Sequence, residues 1–172
     1  MKVRLKGIGQ AGEQHDLGLS TEWAKEAAQD AMETVPEAIR GTLELSSLHD
    51  DGRVDVRCQL ETRGERVCER CGEHTQFEVE VDTLLLFFPE GRVPNGTGDI
   101  ELDREDLDVG WYREGVIDLA DVVREALILG MPPRVLCAEA DSCDARTRSL
   151  LEKSLEGMPK GHPAFAALRN LY

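Results

Sequence analysis

The residues best suited to chemistry in this chain are cysteines. Cys68-Glu69-Arg70-Cys71 is a C-x-x-C pair followed at once by Gly72, in a turn between two segments patterned as strands. Such a turn can present two thiolates to one tetrahedral cation at roughly 2.3 Å, with backbone N–H groups aimed at the sulfurs. That is half of a structural zinc site. Cys137 and Cys143, a C-x5-C pair 65 residues farther on, offer the other half. Four thiolates on Zn2+ leave an excess of negative charge, which Arg66 and Arg70 beside the first pair can partly offset. Two further readings stay open at this point, a redox dithiol at Cys68 and Cys71 and a set of unliganded thiols. The redox reading expects the pair at the start of a helix in a βαβ unit, whereas this pair lies between strands. His74, three residues after Cys71, is an alternative ligand to one of the distal cysteines. Cys58 differs from the other four: it shares the apolar alternation of Val54, Val56 and Leu60 and reads as core.

The rest of the chain offers little to catalysis. It contains no glycine-rich phosphate loop, no G-x-S-x-G elbow, no H-E-x-x-H and no dinucleotide fingerprint. His15, His49, His74 and His162 are scattered through polar, turn-like sequence, and carboxylates are too numerous for any pair to stand out as acid and base. The expectation is a protein that is not an enzyme. The first residues have no apolar run long enough for a secretory signal, and no transmembrane span follows. With five cysteines, an odd count, this predicts a cytoplasmic chain with reduced thiols rather than a disulfide framework.

The elements that must position the cysteines follow from periodicity. Val3 and Leu5 alternate with Lys2, Arg4 and Lys6, which predicts a strand over residues 1–8. Residues 7–18 read as turn. Ser20 or Thr21 can cap a helix running to about Val35, with Trp23, Ala27 and Ala31 at helical spacing and Pro36 closing it. From Ile39 to Phe88 the period changes to two, which predicts three or four antiparallel strands; Asp51-Gly52 marks a hairpin, and Gly64 and Gly72 mark later turns. Residues 89–98 read as an exposed loop. Asp118 caps a helix carrying Leu119, Val122, Val123, Ala126 and Leu127 in an i, i+3, i+4, i+7, i+8 stripe, ended by Gly130 and Pro132-Pro133. Residues 137–143 then read as an irregular loop, 145–155 as a helix and 163–171 as a short terminal helix.

At 172 residues the chain predicts one domain over 1–172. Its class is α+β: a curved or barrel-like antiparallel sheet with a few helices and a cysteine (zinc) knuckle. The net charge is −14, which opposes broad contact with a phosphate backbone. Residues 99–125 hold ten Asp or Glu against three Arg, a net of −7 and half the charge of the chain. This acidic segment reads as a solvated face or as a docking surface for a basic partner.

Three stretches resemble a known bacterial family, the YceD-like large ribosomal RNA subunit accumulation proteins. Val67 to Gly72 is similar to the family's Cys-x-Arg-Cys signature. Ile117-Asp118-Leu119 and the helix running on to Leu129-Gly130-Met131-Pro132 resemble its Ile-Asp-Leu helix, which leads to distal metal-ligand-like residues. His162-Pro163-Ala164-Phe165 resembles its terminal segment. Together these core motifs span about residues 35–171, with the C-terminal cysteine loop and helices at 137–171. The resemblance implies a non-enzymatic factor in 23S ribosomal RNA accumulation and assembly of the large ribosomal subunit. The partners that follow are ribosome assembly intermediates, through a basic ribosomal protein or processing factor docked on the acidic segment. A second version has RNA contacted locally by Lys2, Arg4 and Lys6 or by Arg53, Arg57, Arg63, Arg66 and Arg70. The competing functions are a thiol-disulfide redox protein using Cys68 and Cys71 and a zinc-stabilised interaction module.

Overall fold

A computed structural model describes residues 1–46, 49–90 and 109–156. In chain order its elements are β1 (Lys2–Arg4), a single 3-10 turn (Leu5–Gly7), β2 (Glu13–Gly18), α1 (Glu22–Met32), β3 (Ala38–Leu45), β4 (Val54–Val67), β5 (His74–Pro89), β6 (Val109–Tyr112), β7 (Val116–Asp118), α2 (Leu119–Gly130) and α3 (Ala140–Leu155). They divide into two compact units. One comprises Met1–Arg66 with Gln76–Pro133, and the other Val67–Thr75 with the chain from Arg134 onward.

The first unit is built on a five-stranded sheet in the order β2-β3-β4-β5-β6. The long strands form where sequence alternation is strongest. In β4 the inward positions Val54, Val56, Cys58, Leu60 and Thr62 are all buried, with exposed or half-exposed residues between them. β3 pairs antiparallel with β4, Leu43 opposite Cys58 and Leu45 opposite Val56, so the two buried sets share one face. Gly41 stands opposite Leu60, and a Cβ there would lie 2.1 Å from the Gln59 carbonyl oxygen, so only glycine fits. The turn between β3 and β4 is closed at Asp51-Gly52, where the Gly52 N–H donates to the His49 oxygen at 2.9 Å.

Two helices complete this unit. Thr21 stands at the N-cap of α1 without capping it; its hydroxyl donates instead to the Asp16 carbonyl at 3.2 Å. α1 ends when Glu33 enters the left-handed region at φ 55°, three residues before Pro36. The buried face is Ala24, Ala27, Ala28, Ala31 and Met32, with Trp23 half-buried beside it. Those small side chains let α1 approach α2, whose buried stripe is the expected Leu119, Val122, Val123, Ala126 and Leu127. Asp118 caps α2, accepting the Ala120 N–H at 3.1 Å. β7, which leads into that cap, pairs antiparallel with β1 to place Val3 opposite Ile117.

Several sequence expectations need correction. The fold is α+β, but the sheet is open and mixed rather than barrel-like and antiparallel, because β6 runs parallel to β5 with Leu86 opposite Val109. The chain between Pro89 and Val109 is long enough for the crossover that a parallel pair requires. β2 occupies sequence read as turn: only Leu17 in it is fully buried, so its backbone pairing with β3 leaves almost no apolar period. The first strand stops at Arg4 and tightens into a 3-10 turn. Gly64 lies inside β4 rather than in a turn, packed under Met32 and Thr34. Residues 91–98 of the expected loop, residues 99–108 of the acidic segment and the expected terminal helix at 163–171 lie outside the described residues.

Candidate metal centre

The second unit is assembled around the cysteines. Cys68 to Glu73 is the connection between β4 and β5, folded on itself by two backbone bonds: Gly72 N–H to the Cys68 oxygen at 2.9 Å and Cys68 N–H to the Glu73 oxygen at 2.7 Å. Gly72 adopts φ 77°, a conformation that favours glycine. It reverses the chain directly after the second thiol. The distal segment is stitched to this turn at Glu69, whose N–H donates to the Val135 oxygen at 3.0 Å while its carboxylate accepts the Val135 N–H at 3.3 Å. Val135 is buried, which fixes the segment two residues before Cys137.

Cys143 is not in a loop. α3 begins at Ala140, so Cys143 sits in its first turn, its N–H donating to the Glu139 oxygen at 3.1 Å. Asp141 in that turn favours the helix N-terminus, and the irregular stretch between α2 and α3 is 131–139. Thr147, one turn later, places its hydroxyl 2.9 Å from the Cys143 oxygen and 3.2 Å from the Arg70 oxygen. Arg70 also forms an ion pair with Asp144. The N-terminal half of α3 is thereby held to the C-x-x-C turn through Arg70.

The outcome is a four-sulfur cluster. The Sγ atoms of Cys68, Cys71, Cys137 and Cys143 all lie within 4.8 Å of one another and can hold a metal ion. Cys71 and Cys137 stand 3.5 Å apart, and Cys68 and Cys143 3.7 Å. A tetrahedron with metal–sulfur bonds near 2.3 Å has edges of about 3.8 Å, so these separations match its size. Cys68, Cys71 and Cys143 are buried and form their own small core with the half-buried Cys137 packed on it. His74 opens β5 on an exposed position and is not among the four.

The electrostatics sort the sulfurs into two kinds. Backbone N–H groups of Cys71, Arg70 and Cys137 pull the Cys68 thiol down to about 6 against the effect of its burial. The Glu73 N–H and the Arg146 guanidinium lower Cys71 in the same way. Cys137 is raised, first by its neighbour Cys71 and then by burial. Burial, with the other three sulfurs adding to it, pushes Cys143 up to about 12. The cluster therefore favours charge on the C-x-x-C pair and protons on the distal pair. Cys58, buried in β4, is raised to about 11 by burial and by the charge of Asp82, as befits a core thiol.

Arg146 is the residue the sequence reading missed. Its Nη2 donates to the Cys137 sulfur at 3.4 Å, and its Nε is buried without a hydrogen-bond partner. The sulfurs in turn raise the guanidinium above its already high ordinary value. Arg66 and Arg70, expected to offset the thiolate charge, are engaged elsewhere, Arg66 with Glu33 at 2.8 Å and Arg70 with Asp144. The spacing Cys143-x-x-Arg146 signals the correct cation only once 140–155 is known to be one helix, because i and i+3 then share a face.

The other candidates on the sequence fare differently. Arg53, Arg57 and Arg63 pair with Asp55, Asp82 and Glu37 at 2.8, 3.0 and 3.3 Å, so with Arg66 and Arg70 the five arginines of the second set offered as a local RNA contact have carboxylate partners. Of the acidic segment's described part, Asp118 caps α2 and Asp121 pairs with Arg124 at 2.6 Å. Among the described residues no helix is long and apolar enough to cross a membrane.

No curated protein and no solved structure matches the chain. The family model described as large ribosomal RNA subunit accumulation protein YceD matches residues 56–172, a span that takes in all four clustered cysteines, the turn that carries Cys68 and Cys71, and α2. With well over half of its length covered, and with the cysteine turn and the Asp118-capped helix inside the match, the chain belongs to the YceD family of large ribosomal RNA subunit accumulation proteins.

Proposed function

We propose that the protein is a non-enzymatic factor in the accumulation of large-subunit 23S ribosomal RNA, and so in assembly of the large ribosomal subunit in the cytoplasm. The observation that carries this reading is the family match over residues 56–172. In it the cluster of Cys68, Cys71, Cys137 and Cys143 holds a structural Zn2+. Four soft sulfur donors at tetrahedral spacing, with no position left open for a substrate, suit zinc in a structural role. When bound, the metal supplies a cross-link between two segments distant in sequence; Arg146 offsets the remaining thiolate charge, and Glu69 and Thr147 hold the segments in place.

The partner is a protein rather than bare RNA. Each phosphate contact needs Lys or Arg, and five of the arginines that would supply them are engaged by carboxylates. A net charge of −14 instead favours a basic ribosomal protein or processing factor within an assembly intermediate. Depleting the protein in its native cell and measuring the 23S to 16S ribosomal RNA ratio with a sedimentation profile tests the reading. Selective loss of 23S RNA and of free large subunits is the expected result; an unchanged ratio would refute it.

A further inference from the structure

The four sulfurs are close enough for more than metal binding, and they are not equivalent. Cys137 is the half-buried member of the set, while Cys68, Cys71 and Cys143 are nearly inaccessible. A small oxidant arriving from solvent therefore meets Cys137 first. Cys71 stands 3.5 Å from its sulfur, and the other close pair is Cys68 with Cys143 at 3.7 Å. Both pairs join the C-x-x-C turn to the distal segment. The Arg146 guanidinium, 3.4 Å from the Cys137 sulfur, stands where it can donate a hydrogen bond to an oxygen being displaced at that sulfur.

We propose that Cys137 and Cys71 form an oxidative modification site for a hydroperoxide, in which the first disulfide closes across the two segments rather than within the C-x-x-C pair. This rests on the metal-site reading only for what is displaced: a cross-link removes two of four donors, and the metal leaves. In the first step the Cys137 sulfur attacks a peroxide oxygen. An S–O bond forms, the O–O bond breaks, the departing oxygen takes the Cys137 thiol proton to leave as water from hydrogen peroxide or as an alcohol from an organic hydroperoxide, and the sulfur is oxidised by two electrons to a sulfenic acid. In the second step the Cys71 sulfur attacks the sulfenic sulfur. The S–S bond forms, the S–O bond breaks, and the sulfenic hydroxyl takes one proton, from Cys71 or from solvent, to leave as water. The sulfurs must close from 3.5 Å to the ordinary disulfide length of about 2.05 Å, within reach of side-chain rotation. The oxidised unit is then stapled by a covalent bond where the metal had joined it.

The test uses the full chain with its metal content measured beforehand. Hydrogen peroxide is added at one and then ten equivalents, free thiols are blocked with N-ethylmaleimide, and cross-linked peptides are mapped by mass spectrometry while a chromogenic chelator follows released zinc. Cys71 joined to Cys137 as the first cross-link, appearing together with free zinc, is the expected outcome. Cys68 joined to Cys71 as the first cross-link, or a sulfinic acid on Cys137 with no cross-link, would overturn the proposal. Four unmodified cysteines at ten equivalents would overturn it too. Protein that carries no metal yet forms the Cys71–Cys137 bond sinks the zinc reading and leaves this one standing; zinc-loaded protein with the wrong pairing does the reverse. Cys143→Ser keeps both reacting sulfurs and must still form the bond, whereas Cys137→Ser, checked for folding by circular dichroism, must lose it.

Discussion

The sulfurs of Cys68 and Cys71 are biased toward the thiolate, and those of Cys137 and Cys143 toward the thiol. The difference lies in what surrounds each sulfur: backbone N–H groups and Arg146 around the first two, burial and neighbouring sulfur around the others. Metals bind the deprotonated form, so loading must expel the protons that remain. At pH 7.5, calorimetric zinc titrations in buffers of different ionisation enthalpy should show protons released on loading, those of the distal pair among them. As the pH falls through about 6 the Cys68 thiolate is protonated as well. Release should then rise and affinity fall, the sign expected when protons compete with the cation. In the same titration Arg146→Met should weaken binding about 10–100-fold, the usual cost of losing a group that supports metal ligands. The first pair of the clustered cysteines was legible in sequence because C-x-x-C followed by glycine is a local pattern with a local geometry. Arg146 was not, because its relation to Cys143 exists only on a helix, and a segment read as loop has no i+3 neighbour.

α2 shows how far periodicity reaches at the scale of an element. Its cap, its buried stripe and its end were all legible, since one residue's hydrogen bond and a 3.6-residue period depend on nothing distant. The helix also supplies a paired test. Leu127→Ala, at a fully buried position, should destabilise by about 2–5 kcal/mol in urea unfolding followed by circular dichroism. Leu129→Ala, two residues on and 83% exposed, should change stability by no more than about 0.5 kcal/mol. Equal effects would show that the stripe does not face a packed core. β2 marks the limit of the same method. Glu13–Gly18 pairs with β3 along its whole length, yet its side chains are mostly polar and half-exposed. A strand held by its neighbour's backbone leaves little trace in its own residues. α3 was read five residues short, because Ala140 to Asp144 lacks an apolar stripe and owes its helical form to the cysteine turn it packs against.

For the whole molecule, charge is the property that composition already fixes. At −14 the chain repels polyanions and attracts basic surfaces over about a Debye length. Binding to a basic partner, measured by titration at 50 and 300 mM salt, should weaken steeply, and replacing Asp103, Glu105, Asp106 and Asp108 by Ser should remove much of the attraction. Salt-insensitive binding would count against electrostatic docking. The parallel placement of β6 lay beyond sequence reasoning, because strand direction is set by where a crossover returns, and a run of acidic residues says nothing of its path. The cysteine unit has a consequence of another kind. It is discontinuous, made of Val67–Thr75 and of chain from Arg134 onward. During synthesis its first two sulfurs emerge some 70 residues before its last, by which time the strands on either side of the turn have left the ribosome. The centre can therefore close only late, and a metal held by all four sulfurs would mark a chain whose translation has reached at least Cys143.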